Sequence, residues 1–475
     1  MSTLEESPRR RTRRRDTYKP GTTISSWTPE DPAFWQSTGA RVANRNLLVS
    51  VPALLLAFVV WQVWSVTVVQ LSKVGFTYSE SQKFWLTAIP GLTGGTFRIL
   101  YTFVGPVVGE RKWTAFSTII LVGPLLWLGF AVQHPSTPYL VMVAIAALCG
   151  IGGANFSSSM ANIGFFYPKA KKGSANGING GLGNLGVSVV QLLAPIVITA
   201  GILGAPAGKP QHQKDGTEVW LQNSAFLWIP LLVLMAGLAW FLMNDLKVAA
   251  APFSRQKVIF KLKHNWLMTL LYVGTFGSFI GFASALPNLI NNTFTPINSA
   301  YSATTYAWVG PFIGALTRWL GGWLGDKVGG ARCTMISFVG MAASILVVIN
   351  ALPSGGSNGN FWVFYVGFLS AFFFSGIGNG STFRQIPVIF LNQARAKAAD
   401  QGPEALAAAN KQAEMEAGAV IGFSAAIAAY GFFFIPAMFA LFAVTSALYV
   451  FVAFYAICLA TCWYYYARKG AEAPS

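Results

Sequence analysis

A chain of 475 residues that is 54% hydrophobic and only 10% charged, with apolar runs repeatedly longer than the roughly 18 residues that cross a bilayer, reads as a polytopic membrane protein. A soluble protein holds about a quarter charged residues, so a soluble enzyme is excluded and no separate soluble domain is left over. The net charge of +17 does not imply nucleic acid, because Arg9, Arg10, Arg11, Arg13, Arg14 and Arg15 cluster in an N-terminal tail without aromatic platforms or a fold, where cytoplasmic retention accounts for them.

A twin-arginine export signal needs a cleavable segment, whereas the first apolar run begins near Leu47 and is a full span. Hydropathy then predicts twelve helices, at about 47–71, 82–108, 112–133, 138–167, 174–203, 223–243, 265–291, 299–323, 331–352, 360–391, 418–442 and 444–466. Lys and Arg gather in the connections on the tail's side, among them Arg41, Lys112, Lys169, Lys247, Arg332 and Lys469, while 292–298 and 353–359 contain none. Both termini are therefore expected in the cytoplasm. The expected organisation is a tail (1–46), a six-helix bundle (47–243), a cytoplasmic linker (244–264), a second six-helix bundle (265–466) and a short tail (467–475).

Span 2 carries Arg98 and span 8 carries Arg318, each deep in an apolar run with no acid nearby. A charge at the centre of a membrane helix costs about 2.5–3.5 kcal/mol on insertion scales, so it faces a cavity and has a partner. With no protein carboxylate to neutralise the pair, the pattern points to a buried anion site. Span 2 ends in a charged turn with Glu110 and Arg111, and span 8 in a matching one with Asp326 and Lys327, so the two arginines occupy equivalent helices of an internal repeat. These turns resemble the loop 2–3 and 8–9 latches of the major facilitator superfamily; ordinary positive-inside turns are the plainer reading.

Span 4 holds a polar patch from Asn155 to Asn162. In span 5, Gly177, Gly180, Gly181, Gly183 and Gly186 surround Asn179 and Asn184, a density that helix packing or the approach of a ligand would explain. Span 11 repeats the theme with Gly418, Gly422 and Gly431. Arg384, near the end of span 10, reads as a snorkelling interfacial arginine or a gate, and 392–417 as a surface helix extending span 10 or 11. Cys149, Cys333, Cys458 and Cys462 show no disulfide or zinc spacing, and no metal site or cofactor is expected.

Several long segments in order, Trp27–Trp35, Asn155–Phe166, Gly177–Gln191, Thr275–Phe282 and Gly310–Arg318, closely resemble the nitrate/nitrite porters of the major facilitator superfamily. The resemblance implies an all-α fold of two six-helix bundles, with nitrate and nitrite as partners and the lipid bilayer as solvent. It places the anion between Arg98 and Arg318, with Asn184 donating to it, Phe156, Tyr272 and Phe276 walling the site and Gly180 among the substrate-binding positions. Ala428 and Phe432 depart from the family pattern, which has glycines there.

Arginine suits nitrate because its planar fork donates two parallel hydrogen bonds and stays charged. The sixteen acids lie in tails, loops or helix ends, and His134, His212 and His264 fall outside the predicted spans, so no midplane proton relay is apparent. Exchange of nitrate for nitrite across the bacterial inner membrane, by a monomer, is the expectation. A proton-coupled symporter and an arginine-lined channel are the alternatives, and a redox enzyme lacks ligands for its metals.

Overall fold

The computed structural model describes residues 18–203, 207–213, 216–247 and 257–475. The arginine cluster at 9–15, Lys214 and the part of the 244–264 connection that holds Arg255 lie outside the described residues. The fold is all-helical, as lipid demands of a chain whose backbone groups must pair within their own segment. Its long helical segments are α1 (Pro32–Val74), α2 (Glu80–Val108), α3 (Glu110–Ala131), α4 (Tyr139–Phe166), α5 (Lys169–Val197), α6 (Asn223–Leu242), α7 (Lys263–Thr293), α8 (Val309–Val328), α9 (Gly330–Ala351), α10 (Phe361–Ala398), α11 (Pro403–Leu441) and α12 (Val444–Ala467). Ten of them are long and apolar enough to cross a membrane; α2 and α8, the helices that carry the arginines, are the two outside that set.

Helix ends depart from the hydropathy limits where a helix outruns its apolar stretch. α10 continues to Ala398, and α11 starts at Pro403, directly after Gly402 at φ +89. The 392–417 segment is thus the continuation of both helices around one tight turn. α8 lies later than expected, at 309–328 against 299–323, because the polar stretch before it forms turns and a short helix capped by Ser302.

Residues 18–39 do have a fold, contrary to the expectation for the tail. Thr23–Ile24 pairs in parallel with Asp245–Leu246. Trp27 is buried edge-on against Phe34 and Phe166 and donates its indole N–H to the Phe166 carbonyl at 3.2 Å. The segment ties α1, α4 and the end of α6 together, and nothing in its hydropathy announces this. At the other terminus, Glu472 bonds Lys263 at 2.6 Å and lies 3.3 Å from His264, which sits buried in the first turn of α7 rather than outside the helix.

Two large apolar cores organise the interior, beside a small one around Trp27 and Phe166. One is built from residues between Val49 and Met243. The other runs from Ile259 to Ala473 and is joined from the first half of the chain by Leu54, Phe58, Trp61, Phe84, Phe156 and Val187. All four cysteines are free and buried.

Candidate functional site

Two irregular turns shape the centre. α4 tightens into a 3-10 turn at Ile151–Ala154, and α7 widens into a π turn at Val273–Gly277, a type of bulge that recurs at functional positions. The first presents the Gly153 carbonyl. The second turns Phe276 inward beside Tyr272.

Arg98 is fully buried. Its Nε and Nη2 both donate to the Gly153 carbonyl, at 3.1 and 2.9 Å, and its Nη1 donates to the Ala425 carbonyl on α11 at 2.9 Å. The guanidinium carbon lies 4.7 Å from the centre of the Phe156 ring, 5.2 Å from Trp61 and 5.8 Å from Phe276. Arg98 thus spans both halves of the chain while resting on aromatic faces, an arrangement that stabilises a cation without a carboxylate.

Arg318 is also buried, but sparsely bonded. Its Nη2 donates to the Tyr272 hydroxyl at 3.3 Å, its guanidinium lies 5.1 Å from the Phe383 ring, and its Nη1 has no partner. No acid pairs with either arginine among the described residues. Phe156 and Phe276 stack at 6.5 Å, and Tyr272 and Phe276 lie nearly parallel at 5.5 Å, so flat walls run between the two cations.

Asn184 is fully buried, and both its amide atoms lack partners. A buried amide left open costs about 1–3 kcal/mol, so Asn184 keeps donor and acceptor capacity that no protein group uses. The Cβ that Gly180 lacks would lie 3.3 Å from both Met160 Sδ and Phe156 Cε2, so the glycine keeps the aromatic wall where it is. Two cations set beside the parallel faces of Phe156, Phe276 and Tyr272 suit a small planar anion.

The structure divides the glycines of α5 and α11. Gly183 faces Leu54, Gly186 packs on the Leu55 carbonyl, and Gly431 on the backbone of Gly277. Nothing approaches the Cβ positions of Gly177, Gly181, Gly418 or Gly422 within 4 Å. Ala428 and Phe432 are accommodated from the opposite side, by Gly277 facing the Ala428 carbonyl and Gly91 facing the backbone of Phe432.

At the two charged turns, the acids and bases named from the sequence do not pair with each other. Arg111 is held by Asp245, at the end of α6, through its backbone N–H at 2.8 Å and its Nε at 3.2 Å. Glu110 is buried with neither carboxylate oxygen bonded. Asp326 pairs with Arg384 rather than with Lys327, which lies over the Trp323 ring at 3.9 Å. Sequence reasoning missed Trp61, Asp245 and the two carbonyls that hold Arg98. Only Asp245, a lone acid closing an apolar helix, carried any signal.

Residues 51–410 match the model of the Major Facilitator Superfamily. The chain is 45% identical over 453 residues to the nitrate/nitrite transporter NarU of Escherichia coli (strain K12), covering 94% of this chain and 96% of that protein. It is 42% identical over 468 residues to the probable nitrate/nitrite antiporter NarK2 of Thermus thermophilus, covering 96% and 98%. Among solved structures, the D-xylose-proton symporter shares the fold at a TM-score of 0.61 and 14% identity, covering 89% of this chain and 97% of that one.

Proposed function

We propose that this chain, which belongs to the nitrate/nitrite porter family of the major facilitator superfamily, exchanges nitrate for nitrite by alternating access, with the anion held between Arg98 and Arg318. The observation that carries the reading is the pair of buried arginines without a carboxylate partner, one of them with an unbonded Nη1, set among stacked rings. Asn184 donates to the anion, Tyr272 orients Arg318, and Phe156 and Phe276 sandwich the plane. Guanidinium geometry supplies two parallel donors to two oxygens of nitrate or nitrite alike, so the two ions compete for one site.

The proposed arrangement has twelve spans, α2 and α8 included, in two six-helix bundles joined by the 244–264 linker, with both tails in the cytoplasm and the protein a monomer in the bacterial inner membrane. The two apolar cores and the basic residues at one end of the helices support it. Exchange is favoured because a site with two cations and no anion resists reorientation, and because the acids and histidines among the described residues lie in loops, near helix ends or in the 392–417 stretch. One observation favours a proton-coupled second reading: Glu110, a buried carboxyl with both oxygens unbonded, is a place for a proton to reside.

Nitrate uptake into proteoliposomes preloaded with nitrite, nitrate or neither, with and without an inward proton gradient, separates the two. Exchange requires an internal anion and ignores the gradient. Uptake into empty vesicles that is driven by acid and abolished in Glu110→Gln establishes symport instead.

A further inference from the structure

The polar side chains of the site do not end at Asn184. Ser188 and Gln191 follow it at i+4 and i+7, on the same face of α5, and all three are buried. Gln191 lies roughly 10 Å further along the axis, on the side away from Lys169. Its Nε2 donates to the Ala283 carbonyl of α7 at 2.7 Å and to the Ser65 hydroxyl of α1 at 3.2 Å, while its Oε1 and the Ser188 hydroxyl have no partner.

The bond to Ala283 crosses from one half of the chain to the other at an acceptor made available by sequence. In a regular helix the Ala283 carbonyl accepts from the residue four positions on, which is Pro287 and has no N–H. α5 has the same weakness at the same level, because Pro195 leaves the Gln191 carbonyl without its helical donor. The cross-link therefore joins two helices at turns that each lack a hydrogen bond and bend at low cost. Around this end of the bundle the halves are closed against each other: Ser81 donates to the Ala440 carbonyl at 3.0 Å, and Phe84 packs on Phe439.

We propose that Gln191 is the polar latch of the outer gate and, once released, the donor that an anion meets between Asn184 and the outside. An anion leaving Asn184 in this direction passes Ser188 and reaches the Gln191 carboxamide, whose N–H groups bridge α1 and α7. Opening breaks its bonds to Ala283 and Ser65, and the freed N–H groups then face the path, where a planar oxyanion replaces the carbonyl as acceptor. The latch rests on the orientation and the substrate proposed above, with the Gln191 end of α5 facing outward.

The test places a reporter thiol through Ser188→Cys and measures its reaction with a charged, impermeant methanethiosulfonate added to intact cells, with Gln191 intact and with Gln191→Leu. The four native cysteines are buried and contribute little background. Loss of the latch raises the labelling rate about fivefold, as expected for one net hydrogen bond removed from the closed state. Pro287→Ala supplies the missing N–H within α7, takes the Ala283 carbonyl away from an unchanged Gln191, and raises labelling in the same direction. Gln191→Leu also slows nitrate exchange by the purified, reconstituted protein. Unchanged labelling in both variants overturns the latch. Because labelling needs no nitrate, a wild-type protein that neither binds nor exchanges nitrate overturns the substrate reading while leaving the latch to be scored by the reporter thiol alone.

Discussion

Replacing each arginine of the clamp with lysine separates the contribution of charge from that of the planar fork. In Arg318→Lys the positive charge stays, but the unbonded Nη1 and the fork geometry are lost. The folded protein gives up the bond to Tyr272, which at 3.3 Å lies beyond the usual range, and keeps a cation near the Phe383 ring, so its stability changes by about 1 kcal/mol. The anion loses one charge-assisted hydrogen bond, about 1.5–3 kcal/mol, which raises the nitrate Kd about 10- to 150-fold. Arg98→Lys behaves differently, because three donors hold two backbone carbonyls and an ammonium on a shorter stem cannot serve both. There the stability falls together with the affinity, by a further 1–3 kcal/mol or so for a buried carbonyl left without its donor. Nitrate titration and thermal unfolding of the same purified samples report both quantities. An Arg318→Lys protein of unchanged stability that binds nitrate within about threefold of wild type refutes the clamp.

The two latches respond unequally to loss of their acids. Asp245→Ala breaks a pair that is almost entirely buried and costs about 3–5 kcal/mol, whereas Asp326→Ala breaks an exposed pair and costs about 1 kcal/mol or less, differences that thermal unfolding resolves. Gly431→Ala forces a Cβ into the Gly277 carbonyl and destabilises by about 1–3 kcal/mol, while Gly177→Ala meets nothing and leaves the unfolding temperature unchanged or higher. At the C-terminal tail, the hydrogen bond from Lys263, with help from His264, holds the Glu472 carboxyl below its ordinary pKa. The stability this adds is complete above the usual carboxylate pKa of about 4 and is lost as pH falls through the lowered value, so Glu472→Gln has a small effect at neutral pH that vanishes in acid.

Much of this fold was legible because lipid leaves so few choices: an apolar run of sufficient length becomes a helix whatever its neighbours do. The two arginines were legible for the same reason, since a charge inside such a run is conspicuous. Less visible were contacts whose chemistry belongs to the backbone. The Gly153 and Ala425 carbonyls carry no residue signature, and they lie 55 and 327 positions from Arg98. Asp245 stands 134 positions from Arg111, too far for any local periodicity to join them. The docked segment 18–39 escaped notice because its burial is supplied by helix ends distant in sequence. By contrast, Pro287 leaving the Ala283 carbonyl free could have been read in advance, had each helical proline been asked which acceptor it leaves open.

Arg98 also supplies a physical reason for the exchange proposed above. Its bonds join Gly153 in α4 to Ala425 in α11, one from each half of the chain, so rotation of the halves past each other must break or stretch the second. When an anion lies between the arginines, the released Nη1 has an oxygen to turn to. An empty carrier offers none, and the transition state for its return carries a buried cationic donor unpaired at about 1.5–3 kcal/mol. That cost slows empty reorientation about 10- to 150-fold relative to the loaded step. Counterflow in nitrite-loaded proteoliposomes should therefore exceed initial uptake into anion-free vesicles by at least about tenfold at equal external nitrate. Equal rates would mean that Arg98 finds another acceptor during the empty transition and that its bridge between the halves imposes no coupling.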